Sequence, residues 1–226
     1  MPAGFQSINN SNALQIDGEY SNLSLIRSGS VTPVKDNGYG SGPNTYNATV
    51  FCNPAAGEIV AVSSINNFTL YWTTSDSHVY RVNGNAEFKY YVFAKVTASG
   101  ANFGMQVFKA SGEISYCATW RPFNVAGVIS SAQSFTAGRS YAAIFLSLPA
   151  TNFSQFTWIG GGQIIYAVVQ QYDTAFAAIS ANSISVSAGP AWQVMGEGVA
   201  PPAPPPNFSY TNGLPLSIMV LDVTGY

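Results

Sequence analysis

Clusters of turn-forming residues interrupt this sequence at intervals of about eight to twelve residues, and between them apolar and polar residues alternate, as in a sandwich or barrel. Residues 68–73, 78–82 and 87–97 are separated by Thr-Ser-Asp-Ser and Asn-Gly-Asn. In the third of these, Phe88, Tyr90, Val92 and Ala94 fall on one face, and Lys89, Tyr91, Phe93 and Lys95 on the other. The same reading predicts strands over 22–28, 49–52 and 58–63, and then over 127–131, 140–148, 153–159, 163–170, 179–186 and 216–223. Helical periodicity is missing, while Phe, Tyr, Ser and Thr are plentiful. The expected fold is all-β and β-sandwich-like, as one large domain or two related smaller ones within 226 residues.

A fourteen-residue stretch occurs twice, at 4–17 (GFQSINNSNALQID) and at 104–117 (GMQVFKASGEISYC). Gly4, Gln6 and Ser11 recur as Gly104, Gln106 and Ser111, and apolar character recurs between Ile8 and Phe108, Leu14 and Ile114, Ile16 and Tyr116. Each copy reads as two short strands around a tight turn. Asn12 and Gly112 stand where a hairpin needs a residue that enters the left-handed backbone region cheaply. An internal boundary is expected after Ala98, dividing 1–98 from 99–226, each part opened by one copy. Alternation alone leaves open whether the parts are separate domains or share one core.

The second copy, Gly-Met-Gln-Val-Phe-x-Ala-Ser-Gly-Glu-Ile-x-Tyr at 104–116, resembles a hairpin motif of small tailed-bacteriophage proteins associated with the tail, tail tip or tail fibre. The first copy is looser, with Ser7 at an ordinarily aliphatic position and Asn12 in place of glycine. The family often continues with an acidic residue after the second strand; Asp17 keeps it and Cys117 does not. The resemblance implies a virion tail component made in the bacterial host cytoplasm, with other tail proteins and further copies of itself as partners. It brings no catalytic residues.

Charged residues make up only 8% of the chain, against about 25% in an average soluble domain. Its surface must be covered by Ser, Thr, Asn, Gln and Tyr, or by other subunits. Eight Lys and Arg residues and a net charge of −2 give no clustered basic footprint, so nucleic acid is not an expected partner. No apolar run approaches a membrane span of roughly 18–20 residues. No basic segment followed by an apolar run opens the sequence, and no secretory route is expected. Cys52 and Cys117 are the only cysteines and are expected as buried free thiols.

No catalytic, cofactor or metal site is expected. His78 is the sole histidine. Its neighbours Ser75, Asp76 and Ser77 have the residue types of a hydrolase triad, but such triads assemble in space rather than in sequence, and no Gly-x-Ser-x-Gly elbow occurs. One histidine and two distant cysteines form no recognisable zinc site. Gly38, Gly40 and Gly42 lack the strand before and helix after that a nucleotide fingerprint needs. No pair among the ten carboxylates suggests glycosidase chemistry.

Aromatic residues are the better candidates for binding. Tyr71, Trp72, Tyr80, Trp120, Trp158 and Trp192 offer flat faces for sugar or protein contacts. The segment Ala-Pro-Pro-Ala-Pro-Pro-Pro-Asn contains Pro201, Pro202, Pro204, Pro205 and Pro206 and reads as an extended polyproline II connector or interface arm. The expected function is structural, at a tail tip, baseplate or fibre attachment. A module that binds a host-surface glycan or pilus, and a minor capsid or decoration protein, are the alternatives.

Overall fold

The computed structural model of the chain describes residues 6–8, 14–17, 22–35, 48–74, 77–96, 104–159, 165–199 and 208–226, and within them it is all-β. In chain order the strands are β1 (Gln6–Ile8), β2 (Leu14–Asp17), β3 (Leu23–Val31), β4 (Val34–Lys35), β5 (Ala48–Cys52), β6 (Ile59–Ser63), β7 (Phe68–Thr73), β8 (His78–Val82) and β9 (Phe88–Lys95). Then follow β10 (Gln106–Phe108), β11 (Ile114–Cys117), β12 (Val125–Ile129), β13 (Gln133–Ser134), β14 (Tyr141–Ser147), β15 (Ala150–Ile159), β16 (Ile165–Ser180), β17 (Ser183–Val199), β18 (Phe208–Thr211) and β19 (Ser217–Asp222).

Two sheets carry the core. One has the order β12-β19-β14-β6-β9-β3; the other runs β13-β17-β16-β7-β8-β5-β4, with β15 also on β16 and β18 on β15. In each sheet the strands from after residue 98 lie together on one side and those from before it on the other, joined where β14 pairs with β6 and β16 with β7. The two portions therefore sit side by side in both sheets and share one core. Val50, Phe68, Tyr80, Val82, Ala177, Ile179 and Ile184 from one sheet meet Val60, Val62, Phe88, Val92, Ala143, Ile218 and Val220 from the other. Phe68 stands edge-on to Phe88 at 5.6 Å and to Phe145 at 5.8 Å. β19, strongly apolar in sequence, lies between β12 and β14 and so covers its apolar residues inside its own chain.

Alternation in β9 supplies two cores at once. Phe88 and Val92 face the second sheet, and Tyr91 and Phe93 face outward, where they join Ala61, Ala142, Leu221 and Val223. That outer cluster is covered by Phe123 and Tyr226. The segment carrying Phe123 lies along β3, with Leu25 N donating to Arg121 O and Phe123 N to Leu23 O.

The repeated stretch is a structural repeat. In the first copy Gln6 pairs with Asp17, Ser7 with Ile16 and Ile8 with Leu14; in the second, Gln106 pairs with Cys117, Val107 with Tyr116 and Phe108 with Ile114. Both ladders shift register at the same step, between the second and third pairs. Gly112 takes φ +83°, in the left-handed region anticipated for it; Asn12 lies outside the described residues. Each hairpin is a separate two-stranded sheet, and the two meet along β2 and β11. Glu113 ties the second hairpin to the sandwich through an ion pair to Lys95 of β9 at 2.8 Å, and within the hairpin it also pairs with Lys109 at 3.0 Å.

The expected strand over 179–186 is corrected. Ile179 pairs with Ile184 and Ser180 with Ser183, so a two-residue turn at Ala181 and Asn182 divides the segment between β16 and β17. The reversal puts Ala181, rather than a glycine, at φ +48°. The turn lacks glycine and proline, and its only sequence signals are Asn182 and the flanking Ser180 and Ser183. β16 runs unbroken across the region that the sequence divides into two strands.

Candidate functional site

β7 and β15 share one edge of β16. β7 touches β16 only at Phe68 opposite Ala177, while β15 takes the same edge from Thr174, opposite Ala150, onward. Beside this junction, a groove of about 380 Å³ lies between Leu70, Tyr71 and Thr73 of β7 and Phe145, Leu146 and Ser147 at the end of β14, closed by Leu148 and Leu214.

Side-chain hydrogen bonds fix the shape of one wall. Asn212 Oδ1 accepts from Ala150 N at 3.0 Å and Leu214 N at 3.1 Å, while its Nδ2 donates to Leu148 O at 3.0 Å. Thr174 Oγ1 donates to Pro149 O, and Ser147 Oγ to Pro215 O. The proline carbonyls thus receive donors from neighbouring strands. The lining carries no formal charge, and its chemistry is apolar contact with a few hydroxyls at the edge, suited to holding an apolar side chain or the flat face of a sugar.

Of the aromatic residues picked from sequence, Tyr71 lies in this groove, with the Arg81 guanidinium 4.9 Å from its ring centre. Tyr80 is corrected: it is 3% exposed and packs against Phe88 at 5.4 Å, inside the core. Burial raises its pKa well above the ordinary tyrosine range. Trp120 is half-buried in the turn after β11, with its backbone N–H donating to Cys117 O. Trp72, Trp158 and Trp192 are placed by backbone register, opposite Val79, Tyr166 and Tyr172; their side chains lie outside the described ones. Pro201, Pro202, Pro204, Pro205 and Pro206 lie outside the described residues. The six aromatic candidates therefore do not form one cluster. The groove's leucines and Asn212 were not picked out from sequence; the signal for them is the pair of Leu-Pro steps, Leu148-Pro149 and Leu214-Pro215, that flank its wall.

A second cavity of about 220 Å³ is lined by Arg27, Val31, Phe51, Cys52, Asn53, Val60, Tyr90 and Val92. Arg27 is committed to Glu58, through bonds of 2.7 Å and 2.6 Å, and also donates to Asn53 O. The hydrogen bond from Arg27 holds the Glu58 carboxyl below the usual glutamate range, against the opposing effect of burial. Cys52 and His78 are register partners on β5 and β8. Burial pushes the Cys52 thiol up to about 11 and lowers the pKa of His78, so both are neutral at pH 7. Cys52 and Cys117 are both buried and free. Among the described residues no group of three or more His, Cys, Asp or Glu is placed to hold a metal ion, and no helix is long and apolar enough to cross a membrane.

Compared with known proteins, the chain matches no family model, no curated protein and no solved structure.

Proposed function

We propose that this chain is a non-enzymatic structural component of a bacteriophage tail, at the tip, baseplate or fibre attachment, acting by subunit–subunit assembly. The observation that carries the reading is the pair of equivalent bulged hairpins, one of which bears the tail-associated motif. Both stand outside the two large sheets. The second presents Met105 at 47% and Phe108 at 54% exposure. Exposed large apolar residues on a low-charge protein suit contact with another subunit better than contact with water. The test is cryo-electron microscopy of the intact particle with this chain located in the map. A position between tail proteins or in a closed ring is the expected result; absence from the tail overturns the reading.

The groove beside Tyr71 supports one competing reading, a receptor-binding module for a host-surface glycan or pilus. Under it, Tyr71→Ala abolishes adsorption while particles remain intact. Under the structural reading, Phe108→Asp with Met105→Asp reduces incorporation and leaves tails defective, and Tyr71→Ala changes adsorption little.

A further inference from the structure

We infer that the segment of β17 from Ala191 to Val199 pairs antiparallel with the same segment of a second copy of this chain, about a twofold axis at Met195. The inference rests on the assembly reading above and names one of its contacts.

One edge of β17 is filled by β16 along its whole length, from Ser183 to Val199. The other edge holds β13 at Ser183 and Ile184; among the described residues no strand lies against it from Ser185 to Val199. At roughly 3.3 Å per residue those fifteen residues make an open edge on the order of 50 Å long. An edge of that length is a template for another strand unless something blocks it. Proteins block such edges with prolines, bulges and charges. Here the devices are concentrated at one point: Pro190 stands opposite Asp173, and the register shift beside it leaves Ala191 as the extra residue. Beyond that point, Ala191–Val199 contains no proline and one charged residue, Glu197.

That remaining stretch, Ala-Trp-Gln-Val-Met-Gly-Glu-Gly-Val, is complementary to itself when reversed about Met195. Trp192 then stands opposite Gly198 of the second copy, Val194 opposite Gly196, and Gln193 opposite Glu197. Trp192 and Val194 then share register positions with glycines, and Glu197 shares one with Gln193. Moving the axis one residue either way sets Glu197 against Ala191 or Met195 and loses that pair. The fold already uses an aromatic residue opposite glycine elsewhere. On β3 and β9, Gly29 pairs with Tyr90, whose Oη lies 2.6 Å from where a Gly29 Cβ would sit.

Disulfide trapping tests both the contact and its register. Residue 195 meets its own copy across the axis at an antiparallel Cα spacing of about 4.5–5.5 Å, within reach of a disulfide. Residue 193 lies roughly 13 Å from its copy, four residues out of register. Under copper–phenanthroline oxidation, Met195→Cys is expected to give a covalent dimer. Gln193→Cys and Glu197→Cys are expected to stay monomeric separately and to form a heterodimer when mixed. The unmodified chain, whose two cysteines are buried and free, is the background control. In light scattering the unmodified chain should dimerise with concentration, and Met195→Pro should raise its dissociation constant at least tenfold, with thermal melting confirming that the variant is folded. A monomeric Met195→Cys protein, or self-linking of Gln193→Cys as efficient as that at 195, overturns the pairing. A chain that never dimerises yet is found in the tail overturns the pairing alone; its absence from the tail overturns the assembly reading whatever the cross-linking gives.

Discussion

The two faces of the six-stranded sheet are covered in different ways. Its inner face meets a second sheet, and most residues in contact there sit on strands paired within the sheets. Its outer face is covered by turns of the same chain, which bring Phe123 to 5.1 Å from Phe93 and Tyr226 to 6.3 Å. Outside this cover, Val128 and Leu146 remain 57% and 52% exposed. Antiparallel sheets commonly keep one face polar and wet. Here the outer face is apolar and partly roofed, which shows that a low-charge chain can bury more surface by folding short segments back over its sheets. Loss of an inner contact should therefore be felt by the whole molecule, and loss of an outer contact mainly by the roof.

The sharpest way to break that distinction is a pair of truncations. Phe68→Ala removes a fully buried ring wedged between Phe88 and Phe145, and is expected to cost about 3–5 kcal/mol, measured as a lower urea midpoint at unchanged slope. Phe123→Ala removes a half-buried ring and should cost about 1–2 kcal/mol. Hydrogen exchange should then rise first at the amides of Leu25 and Phe123, which make the roof's bonds to β3. Equal losses from the two variants would mean that roof and core open together.

A third variant probes the tether between the end of β19 and the loop before β14. Burial by itself would raise the Asp222 pKa, but hydrogen bonds from the Thr224 hydroxyl and amide and from Arg139 outweigh it and hold the carboxyl below the usual aspartate range. A carboxyl lowered in the folded state contributes stability above its unfolded pKa of about 3.9, and that contribution is lost as pH falls through the lower folded value. Asp222→Asn should thus cost about 1 kcal/mol at pH 7. It should also flatten the decline in melting temperature below pH 4, while Phe123→Ala leaves that decline in place.

These differences also mark how much could be read in advance. β5 to β9, β14 and β19 announce themselves because alternation and a flanking turn are local properties. The paired hairpins were legible because Gly112 and Asn12 stand at matching places in two copies. The turn at Ala181 and Asn182 was harder to read, since Ile-Ser-Ala-Asn-Ser-Ile marks the reversal only by Asn182 and its flanking serines, without glycine or proline. Which face of β8 looks inward depends on its neighbours in the sheet, so Tyr80 could be named as aromatic but not as buried. The groove arises only when β7 and the end of β14 come together, more than seventy residues apart in sequence. No local pattern encodes that convergence.

The smallest expected effect separates the rings of the roof from its hydrogen bonds. The Tyr226 hydroxyl donates to Pro122 O at 2.5 Å, and the Arg121 guanidinium lies 5.9 Å from its ring centre. Burial raises the Tyr226 pKa, and nearby Asp222 adds to the effect against Arg121, so the hydroxyl stays protonated at neutral pH and can donate. Tyr226→Phe keeps the ring contact with Phe93 and removes only that donor. Pro122 is exposed, so water can replace the lost partner and no buried carbonyl is left unpaired. The cost should be about 0.5 kcal/mol in chemical denaturation, below that of Phe123→Ala. A loss as large as that of Phe123→Ala would place the hold of the roof in its hydrogen bond to Pro122 rather than in the rings packed on Phe93.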